Sequence, residues 1–592
     1  MSYLRYSALV LSLLLFSGAA SAAPCPPILL FGAAPAGASD CGNAPTSTER
    51  EPVSGFFLDP DGGNDNNNGR SPNSAWKSIA RAEAVLGNRT DSPDLWLKSG
   101  GVFEDQRMVV TWRGRTSDLA HIGCYRMQSG EAVRCLASDP KPEINGTFEL
   151  SDRRQGYTSY PFGGTGSSVT GSVPADVNTG LLHVADNLRD AYLWIENIQV
   201  KDSAGDGFRV GAHVTHVAIV DTVALDSGHI SYAMRYGADD ILVKNFVIDG
   251  QGYCQSFHED ITHRQDASRV PDTCKYDYPA AIITAERGER IIIMGGDIKN
   301  TWGEGIGAFK CNSSLVIGNK VRDTKRNAIY NADCSNTVVA YNIVWDTDYE
   351  HPYLGRELNP ATGRWDSGNY RSNVGISNNV ETDLALPKEV DNFFAFGNIV
   401  YGAQQCFDQV TWRPARFSIE GEWYNNVCVT DSTDRAVDFV TGSGHDDTNF
   451  NHRLVFRNNI VYAPNTSGMC RASAYRFRDF SNNIWSSSVS SSCDGPAQSV
   501  ETPNMALSVN NWNRSRFTQD QGPTFADARV LSGRALGGGT DILSTMPDVS
   551  SWYWWPEVDH PFDPANDTAF ENLAFAPDGQ AYGNPRNIGV DG

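Results

Sequence analysis

The chain of 592 residues is short of basic side chains: Lys and Arg number 48 against 70 Asp and Glu, a formal net charge of −22. This balance disfavours a nucleic-acid partner, because proteins that bind nucleic acids need a positive footprint for the phosphates. It also sets a condition on any polyanionic ligand. Local cations from Lys, Arg or a bound metal ion would have to overcome the surrounding negative field.

Long apolar runs are also scarce. The run 8–16 follows Arg5 and precedes the small residues 20–22, which is the pattern of a secretory signal peptide over residues 1–23. The run is too short to cross a bilayer, and no later stretch is long enough. We therefore expect a mature protein exported to the periplasm or the extracellular space. We expect it to have no membrane partner and to be a monomer.

Cys-x-x-Cys spacings are absent, which argues against a zinc or redox site. The cysteines number 12, and an even count in an exported chain favours disulfides. Neighbours along the chain give six predicted pairs: Cys25–Cys41, Cys124–Cys135, Cys254–Cys274, Cys311–Cys334, Cys406–Cys428 and Cys470–Cys493.

Helical periodicity is scarce as well, and in its place the sequence has a repeat of about 23 residues. Three β-branched runs superpose with Ile298, Val321 and Val344 at equivalent positions. Short apolar runs at such a constant period are typical of a solenoid, in which each repeat forms one coil. The sequence therefore predicts an all-β fold, a right-handed parallel β-helix.

Asn or Asp recurs at the same point of most coils, as at Asn319 and Asn342. An Asn side chain can hydrogen-bond to nearby backbone, and the residue tolerates the left-handed conformation, so it suits a tight corner between strands. We predict that these asparagines stack on one another and have a structural role.

The N-terminal part contains a strand, the Asp/Asn/Gly-rich loop 55–69, a short amphipathic helix at 75–82 and a second strand at 95–101. This order resembles the start of secreted right-handed β-helix proteins of the pectate-lyase-like superfamily, and residues 584–590 resemble their closing phrase, with Asn587 in place of Asp. The resemblance implies that the helix caps the first coil. The resulting organisation is a signal peptide 1–23, a flexible leader 24–52, an N-terminal cap segment 53–150, a β-helix core 151–500 and a closing segment 501–592.

Two large insertions interrupt the coils after equivalent predicted strands. Residues 249–278 follow Val247, and residues 346–371 follow Val344. Because the coils stack, both loops are expected to project from one corner and to wall a groove along the side of the solenoid. Loops on a rigid scaffold are the usual place for binding and catalytic residues.

Strand alternation predicts which side chains face this groove. The predicted inward row is Phe208, Met234, Ile283, Ile306, Ile329 and Ile376. The predicted outward row is then Arg209, Arg235, Thr284, Gly307, Tyr330 and Ser377. Arginine binds a uronate carboxylate through two hydrogen bonds, and tyrosine can exchange protons with a sugar. The row therefore suits an acidic sugar chain.

Many proteins of this superfamily are polysaccharide lyases, so the resemblance implies β-elimination, with a base for the C5 proton and a cation for the uronate carboxylate. The stretch from Glu304 to Lys310 resembles the Glu…Lys coil of alginate-type lyases. In that family a catalytic Arg follows on the next coil, where this chain has Asn331, and Arg326 lies five residues away. The predicted site consists of catalytic Lys310, Tyr330, Arg326 and His258, substrate-binding Arg209, Arg235, Arg356 and His351, and metal-binding Glu304 and Glu381, with calcium as the candidate cofactor.

We thus predict a secreted lyase acting on a uronate-containing polysaccharide, and two other functions stay open. A non-catalytic glycan-binding or cell-surface β-helix protein would present aromatic platforms, for which residues 552–555 are the candidate. A glycoside hydrolase would place two carboxylates opposite each other. Candidates for such a pair are Glu381, Asp408, Glu420 and Glu422.

Overall fold

The structure is a computed structural model. It describes residues 51–146, 180–203, 205–252, 280–284, 287–347, 358–359, 364–365, 372–380, 389–411, 418–433, 435–441, 453–457, 459–466, 469–473, 476–485, 498–501 and 521–523. Nearly all regular structure in these residues is β-strand, and the strands pair in parallel with the equivalent strand of the next coil. The predicted right-handed parallel β-helix is therefore confirmed.

The strands of the coils form three faces of the solenoid, which we call the first, second and third sheets in the order in which they follow one another within a coil. The first sheet has 11 strands in the described residues. They are Met108–Val110, Gly180–Val184, Asp206–Val210, Tyr232–Met234, Ile282–Thr284, Ile306–Phe309, Asn327–Ala332, Val374–Val380, Gln405–Thr411, Val437–Thr441 and Cys470–Ser473.

The second sheet contains the longest strands. They are Phe56–Leu58, Leu95–Lys98, Ala120–Gln128, Leu193–Glu196, Thr215–Val220, Asp239–Lys244, Glu289–Met294, Asn312–Ile317, Ser335–Ala340, Glu389–Phe396, Ser418–Tyr424, Arg453–Arg457 and Arg476–Trp485. The third sheet follows after a tight corner. Its strands are Val102–Glu104, Glu143–Asn145, Gln199–Lys201, Val223–Ser227, Val247–Gln251, Asp297–Thr301, Lys320–Thr324, Ile343–Trp345, Ile399–Tyr401, Val427–Val429 and Ile460–Tyr462.

A few elements lie outside this scheme. Glu131–Arg134 pairs antiparallel with Ala120–Gln128, Gln498–Glu501 continues beside Arg476–Trp485, and Leu358–Asn359 pairs with Arg364–Trp365. The helices of the described part are the 3₁₀ turn Pro72–Ser74 and the α-helix Ile79–Leu86.

The strand register confirms the repeat inferred from the sequence. Ile298 pairs with Val321, and Val321 pairs with Val344. Insertions do not disturb this register, since Asn327–Ala332 still pairs with Val374–Val380 across the second insertion. The coils are therefore a constant frame, and extra residues enter at their corners.

The second sheet is apolar on both faces. In the strand Glu289–Met294, Ile291 and Ile293 belong to the interior of the solenoid, while Ile292 and Met294 belong to a second apolar cluster on the outside. All four side chains are buried. This strand is therefore committed to packing on both sides, as is usual for parallel sheets with both faces covered. The first sheet differs, because its outer face carries polar side chains.

The predicted stacking of asparagines is confirmed at the corner between the second and third sheets. The fully or nearly fully buried side chains of Asn319, Asn342, Asn398, Asn426, Asn459 and Asn483 form one ladder. Asn342, for example, accepts from Nδ2 of Asn319 and donates to Oδ1 of Asn398, both at 3.0 Å. The left-handed conformation falls one residue earlier, at Gly318 (φ 64°) and Tyr341 (φ 54°). The ladder residues themselves tie neighbouring coils together.

The N-terminal helix Ile79–Leu86 buries Ile79, Ala82 and Leu86. The hydroxyl of Ser78 caps its first turn by accepting from the backbone N–H of Arg81 at 3.2 Å, which satisfies one of the free donors at the helix start. The preceding Asp/Asn/Gly loop is held by its own side chains. Its residue Asp65, for example, accepts from the backbone N–H groups of residues 77 and 78 at 2.9 Å.

Three predicted disulfides are formed: Cys124–Cys135, Cys311–Cys334 and Cys406–Cys428. Cys470 is also disulfide-bonded, but its predicted partner Cys493 lies outside the described residues, as do the pairs Cys25–Cys41 and Cys254–Cys274. Disulfides are consistent with an exported protein. No helix in the described part of the chain is long and apolar enough to cross a membrane.

Candidate functional site

One polar row runs along the outer face of the first sheet, with one residue from each paired strand. We call it the outer row. Its members are Val109, His183, Arg209, Ala233, Ile283, Gly307, Tyr330, Ser377, Asp408, Asp438 and Arg471. Four of the residues predicted to point outward, Arg209, Gly307, Tyr330 and Ser377, belong to it.

The predicted outward row is wrong on two coils. Phe208 pairs with Tyr232 rather than with Met234, because the two aromatic rings stack inside the solenoid with centroids 4.8 Å apart. On the next coil Ile283 is half-buried in the outer row, and Thr284 faces inward. The hydroxyl of Thr284 is accommodated there because it accepts from the backbone N–H of residue 309 at 3.0 Å.

The same shift changes the position of Arg235. Ala233 takes the place beside Arg209, and Arg235 follows two residues later, beyond the end of the strand Tyr232–Met234. Its guanidinium nevertheless reaches back to the preceding coil, where Nη2 donates to Oδ2 of Asp206. Arg209 and Arg235 are thus brought together through a carboxylate that the sequence did not single out.

Asp206 is the centre of what we call the cationic cluster: Asp206, Arg209, His229 and Arg235. Its carboxylate accepts from Nη1 of Arg209 at 3.3 Å and from Nδ1 of His229 at 2.9 Å, in addition to Nη2 of Arg235. The Asp206 side chain is only 2% exposed, whereas those of Arg209 and Arg235 are 18% and 29% exposed. The carboxylate is therefore a buried anchor that holds two guanidinium groups closer to the surface.

The electrostatics of the cluster keep Asp206 ionised. Burial alone would raise the pKa of Asp206, but the charge of Arg235 and the hydrogen bond from His229 outweigh it and hold this pKa far below its usual range. Burial and the neighbouring charge of Arg235 lower the pKa of Arg209. Two guanidinium groups share one carboxylate, so the three side chains carry a formal charge of about +1.

His183 lies beside the cluster on the preceding strand of the sheet, where it pairs with Arg209. The residue is 8% exposed, and its Nε2 makes no hydrogen bond among the described residues, although Oδ1 of Asp186 lies 4.0 Å from it. Burial, followed by the charge of Arg209, lowers the pKa of His183 from 6.5 to about 4. This imidazole is therefore neutral at pH 7, next to a guanidinium.

The predicted residues Glu304, Lys310 and Tyr330 lie on two adjacent coils. Glu304 and Lys310 flank the two ends of the short strand Ile306–Phe309, and Nζ of Lys310 lies 4.9 Å from the ring centre of Phe309. Tyr330 lies in the outer row on the following coil and is 7% exposed. The predicted catalytic residue Lys310 and the predicted metal ligand Glu304 thus lie beyond opposite ends of this strand.

Gly307 pairs with Tyr330 in the outer row, as strand alternation predicted. The structure gives it a packing role. A Cβ atom at this position would lie 2.8 Å from Cβ of Ala280 on the neighbouring coil, closer than two carbon atoms can pack. The glycine is thus required by the contact between coils.

Asn331, the position that matches the catalytic Arg of alginate-type lyases, points into the solenoid. Its Nδ2 donates to the backbone oxygen of Cys334 at 3.1 Å and to Oδ1 of Asn378 at 2.8 Å. An arginine here would bury its charge in the interior, so the family's arginine has no equivalent at this position. Arg326 lies at the corner before the strand Asn327–Ala332 and is half-buried.

The C-terminal end of the outer row is acidic. Asp408 and Asp438 occupy adjacent strands, and Asp438 pairs with Arg471. Nε of Arg471 donates to Oδ1 of Asp438 at 2.6 Å. Asp408 and Asp438 are 5% and 4% exposed. Of the hydrolase candidates, Glu420 and Glu422 belong to the second sheet, so the carboxylate beside Asp408 in the row is Asp438 instead.

Several predicted residues lie outside the described residues: His258, His351, Arg356 and Glu381, together with the aromatic segment 552–555. Among the described residues there is no group of three or more His, Cys, Asp or Glu side chains placed to hold a metal ion. The roles predicted for all these residues, and the calcium cofactor, stay predictions.

Sequence reasoning missed His183, Asp206 and His229. The sequence contained one signal for His183. It is the polar residue in the otherwise apolar run Gly180–Val184, and strand alternation places its side chain on the outer face. The register between this strand and the next is 26 residues, as His183 pairs with Arg209. Because this differs from the repeat of 23 at Ile298, Val321 and Val344, the period alone does not align His183 with the row.

No protein-family profile matches the chain, and no curated protein matches it significantly. Similar solved structures include a GH136 lacto-N-biosidase from Eubacterium ramulus, 11% identical with a TM-score of 0.44 over 73% of this chain and 67% of that one. An alginate lyase from Paenibacillus sp. is 12% identical with a TM-score of 0.34 over 69% and 97% of the two chains. A pectate lyase is 12% identical with a TM-score of 0.39 over 83% and 93%. Similarities this weak say nothing about activity. The resemblance to pectate-lyase-like proteins is confirmed as one of fold, which the parallel coils themselves show.

Proposed function

We propose that this protein is a secreted carbohydrate-active protein, and specifically a lyase that cleaves a uronate-containing polysaccharide by β-elimination over the outer row. The observation that carries this proposal is the cationic cluster, in which one buried carboxylate holds Arg209 and Arg235 beside the neutral imidazole of His183. In a protein of net charge −22, such a fixed positive site supplies what an anionic sugar requires.

The first chemical requirement of β-elimination is that the uronate carboxylate be neutralised. Guanidinium groups bind carboxylates through paired hydrogen bonds. Asp206 fixes both arginines before the substrate arrives, so little side-chain entropy is lost when it binds. Both side chains are mostly buried, which strengthens their interaction with an anion relative to water. The same charges would stabilise the carbanion-like transition state that follows removal of the C5 proton.

The second requirement is a base. We propose His183 for this role, because adjacent strands lie about 4.8 Å apart and its imidazole is unprotonated at neutral pH. A pKa of about 4 makes a weak base in the free protein. A uronate bound to Arg209 would cancel part of the positive charge that depresses this pKa, and the pKa would rise towards the range useful for proton transfer. Substrate binding would thus activate the base.

The sequence also predicted functional residues on the central coils, and we keep their roles as proposals. Tyr330 lies four strand spacings from Arg209 in the outer row, roughly 19 Å at the usual spacing. A sugar bound at Arg209 therefore cannot also contact Tyr330. Tyr330, with Lys310 and Arg326, would act on a different sugar of the same chain, and calcium would enter there through Glu304.

The test is the ultraviolet absorbance of unsaturated uronides, followed while the purified protein is incubated with a panel of acidic polysaccharides, with calcium and with chelator. We expect absorbance to rise with wild type and to fall at least about 100-fold in rate for Arg209→Ala and His183→Gln. Arg126→Ala is the matched control, because Arg126 is an exposed arginine on the second sheet, outside the row.

The other outcomes discriminate between the functions. New reducing ends without absorbance would identify a hydrolase, and glycan binding without either product would identify a binding protein. Loss of elimination in Tyr330→Phe but not in His183→Gln would move the catalytic centre to the central coils. A rise that chelator abolishes would assign part of the positive charge to a metal ion.

A further inference from the structure

The corner between the first and second sheets repeats one backbone conformation on successive coils. Each of these positions lies two residues before a paired residue at the start of the second-sheet strands, and each has a left-handed φ between 48° and 65°. The residues are His213, Gly237, Arg287, Lys310 and Asp333. Glycine adopts this conformation freely, and His, Asn and Asp are enriched in it. The backbone therefore favours the residue type at three of these positions, but not at Arg287 and Lys310.

The side chain of Arg287 is not explained by folding alone. A left-handed backbone costs free energy for a residue with a Cβ atom, and residues held in this way cluster at ligand sites. Arg287 is exposed. Within the part of the chain that the structure describes, its guanidinium contacts the ring of Tyr236 and forms no ion pair. This corner thus presents a positive charge to solvent at the cost of backbone strain.

Tyr236 holds the guanidinium in place. Cζ of Arg287 lies 5.2 Å from the ring centre of Tyr236, within the range of a cation–π interaction. From the preceding coil, the imidazole of His213 packs against the same ring, with centroids 5.2 Å apart and planes at 82°, which is a favourable edge-on arrangement. Tyr236 directly follows Arg235 of the cationic cluster and is half-buried. Arg287 is therefore held on the coil next to the cluster.

We propose that Arg287, held by Tyr236, forms a second anion-binding subsite, which takes a carboxylate or a sulfate ester on a sugar neighbouring the uronate bound by the cationic cluster. This inference rests on the proposed function, because it takes that cluster as the uronate subsite. The strands that precede Arg235 and Arg287 pair with each other, and paired strands lie about 4.8 Å apart. One extended sugar chain along the first sheet would therefore meet both guanidinium groups.

The chemistry of the group and its place in the fold both suit this role. A guanidinium binds carboxylates and tetrahedral oxyanions through paired hydrogen bonds. The backbone N–H of Arg287 donates to the backbone oxygen of Lys310 at 2.8 Å, so Arg287 lies between the cationic cluster and the central coils. It extends the positive surface along the first sheet, in a chain whose net charge of −22 would otherwise repel a densely charged polymer.

The experiment is affinity electrophoresis at neutral pH and low salt, because salt screens exposed charges. The gels contain polygalacturonate, which has a carboxylate on every sugar, chondroitin, which has one on every second sugar, or chondroitin sulfate, which adds a sulfate ester to the sugar between. We expect polygalacturonate or chondroitin sulfate to retain the wild type at least about threefold more tightly than chondroitin, the contribution of one exposed ion pair. A gain with polygalacturonate assigns the anion to a carboxylate, and a gain with chondroitin sulfate alone assigns it to a sulfate ester.

Arg287→Asn separates binding from folding. Asn tolerates the left-handed backbone, so this variant should be at least as stable as wild type in urea unfolding, and yet it should lose the threefold gain. A merely structural arginine would give lower stability and unchanged polymer selectivity. Tyr236→Leu should lose part of the gain, whereas Tyr236→Phe keeps the ring and should retain it. Arg126→Asn, at an exposed arginine on the second sheet, is the charge-matched control and should leave the selectivity unchanged.

Two results would overturn the inference. They are retention of wild type by polygalacturonate and chondroitin sulfate that is no tighter than by chondroitin, and unchanged selectivity in Arg287→Asn. If Arg209→Ala weakens retention by every polymer while Arg287→Asn keeps the wild-type selectivity, the uronate subsite stands and only this inference fails. If Arg209→Ala has no effect on any polymer, or if no polymer retains the wild type, the proposed function fails and this inference fails with it.

Discussion

The neutral imidazole of His183 makes the stability of this protein depend on pH in a defined window. The folded protein holds the pKa of His183 at about 4, against an ordinary value of 6.5. As the pH falls below 6.5, the unfolded chain takes up a proton that the folded protein does not bind. Linkage then requires that stability be lost as the pH falls from about 6.5 to about 4, and that it be fully present above that window.

The magnitude follows from the same two values. Each tenfold difference in proton affinity is worth about 1.4 kcal/mol. A native pKa of about 4 against 6.5 therefore corresponds to about 3 kcal/mol of unfolding free energy lost at the acidic end of the window. His183 is 8% exposed, so solvent screening reduces this figure little.

The variant His183→Gln removes the titrating group and keeps a polar side chain of similar length. Urea unfolding followed by tryptophan fluorescence at pH 7, 6, 5 and 4 gives the free energy of unfolding of both proteins. The difference at pH 7 reports packing. We expect the difference between wild type and variant to shift by about 3 kcal/mol in favour of the variant between pH 7 and pH 4. Asp206 does not interfere in this comparison, because both proteins retain it.

Two results would refute this reasoning. One is a difference between wild type and His183→Gln that stays constant over the whole pH range. The other is a titration of the His183 ring, followed by NMR, with a midpoint near 6.5. Either would mean that the imidazole is not desolvated beside Arg209, and it would also remove His183 as a neutral base at the cationic cluster.

Three further outcomes are expected. Asn342→Ala removes four hydrogen bonds to neighbouring coils and should cost about 3–5 kcal/mol in urea unfolding. Asn312→Ala, in an exposed Asn–Asn contact, should cost less than about 1 kcal/mol. Equal losses would contradict the ladder's role. Asp206→Asn should cost about 3 kcal/mol, because it leaves two guanidinium groups without their anion, and a stability equal to wild type would show that the arginines are held by other contacts. Gly307→Ala should be destabilising by about 1–3 kcal/mol and should be rescued by Ala280→Gly, which removes the opposing Cβ atom; absence of rescue in the double variant would refute the contact.

The fold could be predicted because it repeats. An error in one strand assignment is corrected by its neighbours when the same apolar position returns in every coil, as at Ile298 and Val321. The buried asparagines were predictable for the same reason. Their side chains serve the same hydrogen bonds in coil after coil, so the residue type is repeated along with the position.

The candidate site was only partly predictable, because functional residues do not repeat. Arg209 and Tyr330 were placed in the outer row by strand alternation alone. Alternation cannot be carried from one coil to the next where the coils differ in length. For this reason Ile283 was predicted to face inward, although it lies in the outer row. Asp206 could not be predicted from the sequence, for a different reason. Its importance comes from contacts with residues on two coils, and nothing in its immediate sequence marks them.

The asparagine ladder also decides where this chain is free to change during evolution. Successive members are 23, 56, 28, 33 and 24 residues apart along the chain, yet each makes the same bonds to the next. Additional residues have therefore been accepted only between one ladder position and the following one, at corners that the ladder does not occupy. New loops beside the first sheet can arise, lengthen or disappear without any change to the hydrogen bonds that hold the coils together. Loop length and stability thus depend on different corners of the same coil, and selection can act on one without altering the other.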